Sequence, residues 1–410
     1  MNCRHCNTEL KNIFADLAFS PISNDMLKKN QLNVNESYYP LKTFVCHNCY
    51  LVQLDEFKKA SDIFNNEYTY FSSFSKSWLK HAKDYVQMMM DRFSFDSDSL
   101  VVEIASNDGY LLRNFVENDI PVLGIDPTEN TAKEAEKLGV KTIVDFFSED
   151  LANVELKDKK RLADLIIGNN VLAHVPNIND FVKGMKAGLK NDGIITMEFP
   201  HLIKLIEEDQ FDTIYHEHFS YLSLYSTMQI FEKHSLEIFD IEEIPTHGGS
   251  LRIFAKNIGD DTKEVSIRVQ NVLNAEIEKG VNTLGYYKDF QDKVNKIKYD
   301  VMSFLIAEKR KGKKIIGYGA AAKGNTLINY CGIKGTDLIE FVVDASPYKQ
   351  NKFLPGSHIP VLDQKSIEEY QPDYIIILPW NIKNEVMKQL EYVKKWNGKF
   401  VIFIPELKIF

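Results

Sequence analysis

The stretch Val101-Val-Glu-Ile-Ala-Ser-Asn-Asp-Gly109 runs from β-branched residues into an acid, a tight turn of small residues and a glycine that opens a helix. A strand closed in this way belongs to an α/β sheet, which binds ligands in the crevice at the carboxyl ends of its strands. Outward from it, short apolar runs at 121–125, 142–144, 163–168 and 193–199 alternate with helical stretches. That rhythm predicts a doubly wound parallel sheet. A second series follows a long helical stretch from about 262 to 311, with strands expected at 314–318, 338–343, 374–378 and 400–404. Apolar positions spaced at three and four from Trp78 through Met88 predict a helix over 76–92 that leads into the first unit.

The chain of 410 residues is too long for one core. Its reading is α/β in three parts: a small module at 1–65, a Rossmann-like domain at 66–260 and a second Rossmann-like domain at 261–410. A net charge of -9, with no basic block to offset it, argues against a nucleic-acid partner. No run reaches the ~20 apolar residues of a membrane span, and the first ten residues are polar where a secretory signal needs an apolar segment. A cytoplasmic protein without a membrane partner is expected.

Four of the five cysteines form two C-x-x-C pairs, Cys3/Cys6 and Cys46/Cys49, with 39 residues between them. Two such knuckles suit one tetrahedral zinc ion better than two disulfides, and four sulfur ligands leave no position for a reactive water. The expected zinc is structural, and it compensates for a module too small to fold well unaided.

The first turn carries Glu103 and Asp108 and lacks G-x-G-x-x-G, so it is hostile to phosphate and favours a cationic ligand. S-adenosylmethionine, with its amino group and sulfonium, is such a ligand. The second strand ends in Gly124-Ile-Asp126, about twenty residues on, where a carboxylate can accept from both ribose hydroxyls. Asp145 and Phe146, after the third strand, are placed to meet adenine.

In these motifs the chain resembles the sugar C-methyltransferase family, which joins a zinc-binding segment, a class I methyltransferase domain and a characteristic C-terminal domain. The resemblance spans nearly the whole chain. It rests on the two cysteine pairs, on Glu103–Gly109, and on Asn169-Asn-Val-Leu-Ala-His174-Val-Pro. Further motifs are Tyr215-His-Glu-His218-Phe-Ser-Tyr221, His247-Gly-Gly-Ser-Leu-Arg252 and Gly317-Tyr-Gly-Ala-Ala-Ala-Lys-Gly-Asn325. It implies an S-adenosylmethionine site built from Glu103, Ala105, Asn107, Asp108, Gly109, Asp126, Asp145, Phe146 and Asn169. Ala105 and Asn107 stand where the generic methyltransferase turn is richer in glycine.

Methylation at carbon needs a carbon nucleophile, and loss of the proton beside the carbonyl of a nucleotide-linked keto-deoxysugar supplies one. Tyr215-His216-Glu217-His218 packs a phenol, two imidazoles and a carboxylate into four residues, the inventory for proton abstraction and enolate stabilisation. The resemblance makes His218 the base, near its ordinary pKa of ~6.5 with a carboxylate holding its tautomer. Tyr215 and Glu217 orient or polarise the sugar, and His174 faces the transferred methyl or caps its loop. If His216 and His218 lie on a strand, both rings point to one face, and a metal site is the competing reading. Tyr70 reaches the sugar by the same resemblance, with Tyr68 an alternative on the same face.

In the last domain Gly319, Lys323 and Asn325 follow a strand and open a helix, which suits the diphosphate of a nucleotide sugar. An NAD site would need an acid such as Asp344. His247 and Arg252 add flexible backbone and a bidentate donor to the same ligand, or form a structural turn with a surface arginine. The rivals to a C-methyltransferase are an O- or N-methyltransferase on the same class of substrate and a non-catalytic sugar-nucleotide-binding scaffold.

Overall fold

A computed structural model of the chain describes residues 1–64 and 71–410. Its first three strands are β1 (Asn12–Ser20), β2 (Tyr39–Val45) and β3 (Val52–Leu54). Next come β4 (Val101–Ile104), β5 (Val122–Ile125), β6 (Thr142–Ile143), β7 (Ala163–Asn169), β8 (Leu189–Pro200), β9 (Ser220–Tyr221), β10 (Leu236–Ile244) and β11 (Ser250–Asn257). The chain closes with β12 (Ile315–Tyr318), β13 (Val342–Val343), β14 (Val361–Leu362), β15 (Tyr374–Ile377), β16 (Lys399–Ile402) and β17 (Lys408–Ile409). Tyr68 and Tyr70 lie outside the described residues.

The central sheet has the order β10-β11-β8-β7-β4-β5-β6. From β8 to β6 it is parallel; β11 then runs antiparallel to β8, and β10 antiparallel to β11. All four residues of β4 are buried, as expected of a parallel strand covered on both faces. From β4 the chain builds outward through β5 and β6 and then crosses to β7 on the other side. The crevice between the carboxyl ends of β4 and β7 is therefore a topological switch point. The antiparallel β10–β11 pair is not part of the rhythm read from the sequence.

The C-terminal sheet, β14-β13-β12-β15-β16-β17, repeats the pattern, with its own switch point between β12 and β15. Its lead-in differs from the single long helical stretch expected. Helices Ile267–Glu278 and Phe290–Arg310 are separated at Gly280, whose φ of 92° no continuing helix allows. Helix Lys76–Phe93 forms as predicted: the Ser75 side chain caps it by accepting from Trp78 N, and Ser94 ends it in the left-handed conformation.

The N-terminal ribbon does not stand apart. Its sheet, β1-β2-β3-β9, takes its fourth strand from residues 220–221, immediately after the Tyr215–His218 stretch. Its inner face is buried against the C-terminal part, with the Phe14 ring stacked on Phe290 at 4.5 Å. Apolar burial that the ribbon lacks by itself is thus supplied by the rest of the chain.

Candidate active site

At the end of β4 the backbone turns left-handed at Ala105 (φ 58°), Asn107 (φ 49°) and Gly109 (φ 75°). Ala105 and Asn107 therefore occupy conformations that glycine adopts more readily, which explains how a glycine-poor turn keeps its shape. Gly109 has a second constraint: a Cβ there would lie 3.1 Å from Ala135. The turn brings Glu103, Asp108 and Asp126 together. Burial holds the Glu103 carboxyl well above the usual range, and the charges of Asp126 and Asp108 add to it. Glu103 Oε2 and Asp108 Oδ1 are buried without a hydrogen-bond partner, and a cation beside them favours their ionised forms. This orphaned acid pair fits S-adenosylmethionine.

Asp126 ties the ends of β4 and β5 together. Its carboxylate accepts from Asn107 N at 2.9 Å, Thr128 N at 2.9 Å and Thr131 Oγ1 at 3.1 Å. Burial raises its pKa, against the pull of these donors. Asp145 and Phe146 sit exposed after β6, while the next residue, Phe147, turns inward against Phe181. At the switch point Asn169 ends β7, nearly buried, with both amide atoms unpartnered.

Past β7 the chain makes the 3-10 turn Leu172–His174. The His174 ring lies 4.6 Å from that of His218, edge to face. His218 Nε2 is 2.8 Å from the Tyr215 hydroxyl, and Nδ1 is 2.8 Å from the Thr213 carbonyl. The carbonyl can only accept, so Nδ1 carries the proton and Nε2 is the free base. Two expectations are corrected here. The tautomer is held by a backbone carbonyl, not a carboxylate, and burial, with His174 next, drives the His218 pKa well below 6.5. Burial likewise lowers His174 to about 4.

Residues 215–217 form a turn, not a strand, so His216 and His218 diverge. His216 Nε2 faces the Pro40 carbonyl at 3.2 Å, and burial lowers its pKa to about 4. The competing metal reading of this stretch loses its shared face. Glu217 points toward the N-terminal module, where Asn24 Nδ2 donates to both its oxygens at 2.8 and 2.9 Å. Burial raises the Glu217 carboxyl to about 7.

The C-terminal switch point faces the same histidines. Lys323 Nζ sits 4.7 Å over the Trp380 ring and donates to Asn381 at 2.9 Å; burial lowers its pKa, and its charge depresses that of His218 and His247. Asn325 is buried with both amide atoms unpartnered. Gly319 adopts φ 87°, and a Cβ there would meet Pro379 at 2.6 Å. Asp344 accepts from Ala320 N at 2.7 Å and Ser346 N at 2.8 Å, the same kind of strand-end tie that Asp126 makes in the first sheet.

Arg252 requires correction on both earlier readings. It is 5% exposed, so it is no surface arginine, and its terminal nitrogens already go to Glu198 at 3.0 Å and Glu242 at 2.9 Å. Its fork is not open to a diphosphate. His247, in a left-handed conformation, is half-buried, with its Nε2 shielded from solvent and unpartnered, and packs on Trp78 at 5.2 Å. Burial brings its pKa to about 4.

Several residues of the site were not singled out by the sequence. Trp78 bridges His247 and Tyr110, next to the first turn, so the leading helix spans the crevice. Glu198 holds His81, Arg252 and Thr246 at 2.8 to 3.0 Å. Asp212, fully buried and raised by burial to about 6, accepts from Trp380 Nε1 at 2.8 Å. Trp78 entered the sequence reading only as an apolar position of a helix, and nothing local marked the others, because their partners are distant in the chain.

The four cysteine sulfurs lie within 4.8 Å of one another, the one such group of potential metal ligands among the described residues. Zinc–sulfur bonds of ~2.3 Å in a tetrahedron fit this spread.

A sheet of this order, with an acidic turn at its switch point, defines the class I methyltransferase architecture. Across the chain, matches are to a zinc binding domain at residues 3–64, a methyltransferase domain at 102–195 and a C-methyltransferase C-terminal domain at 245–405. The C-methyltransferase NovU of Streptomyces niveus is 32% identical over 407 residues, covering 99% of this chain and 96% of that protein. Among solved structures, magnesium protoporphyrin IX methyltransferase from Synechocystis is 15% identical over 43% of this chain and 78% of its own, with a TM-score of 0.33. An S-adenosylmethionine-dependent methyltransferase from Clostridium acetobutylicum is 13% identical over 44% and 92%, with a TM-score of 0.35. The chain belongs to the C-methyltransferase family and is an S-adenosylmethionine-dependent methyltransferase. Among the described residues, no helix is long and apolar enough to cross a membrane.

Proposed function

We propose that the enzyme methylates a carbon next to the keto group of a nucleotide-linked keto-deoxysugar through an enolate. The observation that carries this reading is the buried His218 between the half-buried Tyr215 and His174, with an unprotonated Nε2 whose opposite nitrogen is tied to a carbonyl. The division of labour is 1–65 for the zinc module, 66–260 for the cofactor and 261–410 for the nucleotide sugar.

Glu103, Asp108, Asp126 and Asn169 hold the cofactor, with Asp145 and Phe146 at its adenine end. S-adenosylmethionine, when bound, would supply an electrophilic methyl group, its C–S bond electrons staying on sulfur as a neutral thioether. When the sugar binds, the Tyr215 hydroxyl passes from His218 Nε2 to the keto oxygen. The freed Nε2 removes the neighbouring C–H proton, and the negative charge moves onto the oxygen that Tyr215 hydrogen-bonds. After methylation the ketone is restored, and His218 returns its proton to solvent. Lys323 and Asn325, beside the Gly319 turn, hold the nucleotide end.

The test incubates the enzyme with methyl-deuterated S-adenosylmethionine and a panel of nucleotide-linked 4-keto-6-deoxyhexoses, and follows product mass and fragmentation. One labelled methyl on a carbon beside the carbonyl is the expected result. In deuterated water without cofactor, the same position exchanges with solvent. Labelled methyl on oxygen or nitrogen, or on no panel member while the cofactor binds, defeats the reading.

A further inference from the structure

We infer that Arg4, between the first two zinc ligands, is a positioning residue for the catalytic loops. Arg4 sits inside the Cys3–Cys6 knuckle, and its backbone is fixed there: its N donates to Gln53 Oε1 at 2.9 Å and its carbonyl accepts from Asn179 at 3.0 Å. From that anchor the side chain reaches away from the metal site. Nη1 donates to the Pro176 carbonyl at 2.6 Å, Nη2 donates to the Leu54 carbonyl, and the guanidinium lies 5.5 Å from the centre of the Phe219 ring.

Those three partners belong to the three segments that frame the histidines. Pro176 ends the loop that carries His174, Phe219 follows His218, and Leu54 ends β3, the strand that pairs with β9. The segments are also joined to one another, by Phe219 N to the Ala173 carbonyl at 2.8 Å and by Leu54 N to the Phe219 carbonyl at 3.0 Å. Arg4 closes the triangle from outside, and its two donors meet carbonyls in a geometry that a planar fork matches and an ammonium does not. The separation of His174 and His218 thus depends on a residue that the zinc knuckle holds. Among the described residues the hydrogen bonds of Arg4 go to Gln53, Asn179, Pro176 and Leu54 and not to the cofactor turn at 103–109, so cofactor affinity can be measured apart from the loops that Arg4 holds.

The inference rests on the proposed role of His218, and its first readout needs no sugar substrate. Full-length wild type, Arg4→Met and Arg4→Lys are compared by long-range imidazole spectra of 15N-histidine protein, with His218 assigned through His218→Asn. Zinc content and S-adenosylmethionine affinity are measured in parallel. Arg4→Met is expected to keep zinc and bind cofactor within about twofold while the Nδ1–H signature of His218 shifts or splits. Against the 4-keto panel its kcat falls by roughly 100-fold with little change in KM, the scale of a misplacement of about 1 Å. Arg4→Lys, with one nitrogen in place of the two that reach separate carbonyls, recovers part of both. A wild-type His218 signature in Arg4→Met overturns the inference, and so does loss of zinc or cofactor in step with activity. If Arg4→Met does not fold, Arg4→Lys decides: unchanged spectra and kcat count against, a partial shift with zinc retained counts for. If no panel sugar is methylated by wild type, the substrate reading fails and the spectra still judge Arg4.

Discussion

The Tyr215 hydroxyl and His218 Nε2 are 2.8 Å apart, and the imidazole is oriented from behind by the Thr213 carbonyl. A phenol and an imidazole so paired can exchange roles between ground state and reaction. His218→Asn is expected to lower kcat by ~10²–10⁴, the range for loss of a general base, while S-adenosylmethionine still binds. Tyr215→Phe should lose less, because Nε2 survives. Calorimetric cofactor affinity beside kcat checks both; full activity in His218→Asn removes it as the base.

The acid limb of kcat/KM should lie below pH 6.5. Burial depresses the His218 pKa, so its neutral, proton-accepting form persists further into acid than that of an exposed histidine. A pH profile with its descending limb centred at or above 6.5 contradicts the assigned environment.

His216 provides a stability test of the same physics. Its folded pKa of about 4 is depressed by burial, so between pH 6.5 and 4 the unfolded chain binds the proton more readily than the folded one. Wild type therefore loses stability relative to His216→Asn as pH falls through that window, by about 3 kcal/mol in all. Urea denaturation at pH 7 and pH 4.5 measures the difference. An unchanged gap between the two proteins would mean that His216 is not buried neutral.

Gly109→Ala should lose both stability and cofactor affinity, since φ 75° strains any side chain and its Cβ would press on Ala135 at 3.1 Å. A cost of about 2 kcal/mol or more is expected. Ala105→Gly, at φ 58°, should instead be neutral or stabilising by up to about 1 kcal/mol. Thermal melts with cofactor titration distinguish the two positions.

Arg252→Met strips the buried Glu198 of a partner and should cost about 3–5 kcal/mol. The double variant Arg252→Met with Glu198→Leu should recover part of that loss. Weakened sugar binding with undiminished stability would return Arg252 to the ligand.

Elements whose signal is local were legible in sequence. The β4 turn announced itself because an acid, small residues and a glycine must follow one another closely to end a buried strand. The cysteine pairs did so because knuckle spacing is a property of adjacent residues. The helix predicted over 76–92 was visible from its periodicity, while its Ser75 cap emerged only in the structure. The Tyr215–His218 stretch was legible as an inventory of chemistry but not as geometry: a strand and a turn can share one composition, and only the turn sends His216 to Pro40 and His218 to His174.

What the sequence by itself determined is the set of chemical groups and the parallel framework that carries them, since both follow from short-range pattern and covalent order. Only the tertiary structure decided which groups meet. Arg252 was read as a ligand donor and became the partner of Glu198, because β8 and β11 pair and leave a buried carboxylate needing a cation. The protonation of His218 also lay beyond the sequence. A pKa is set by the water removed and the charges brought near, and here both come from segments distant in the chain that meet only on folding.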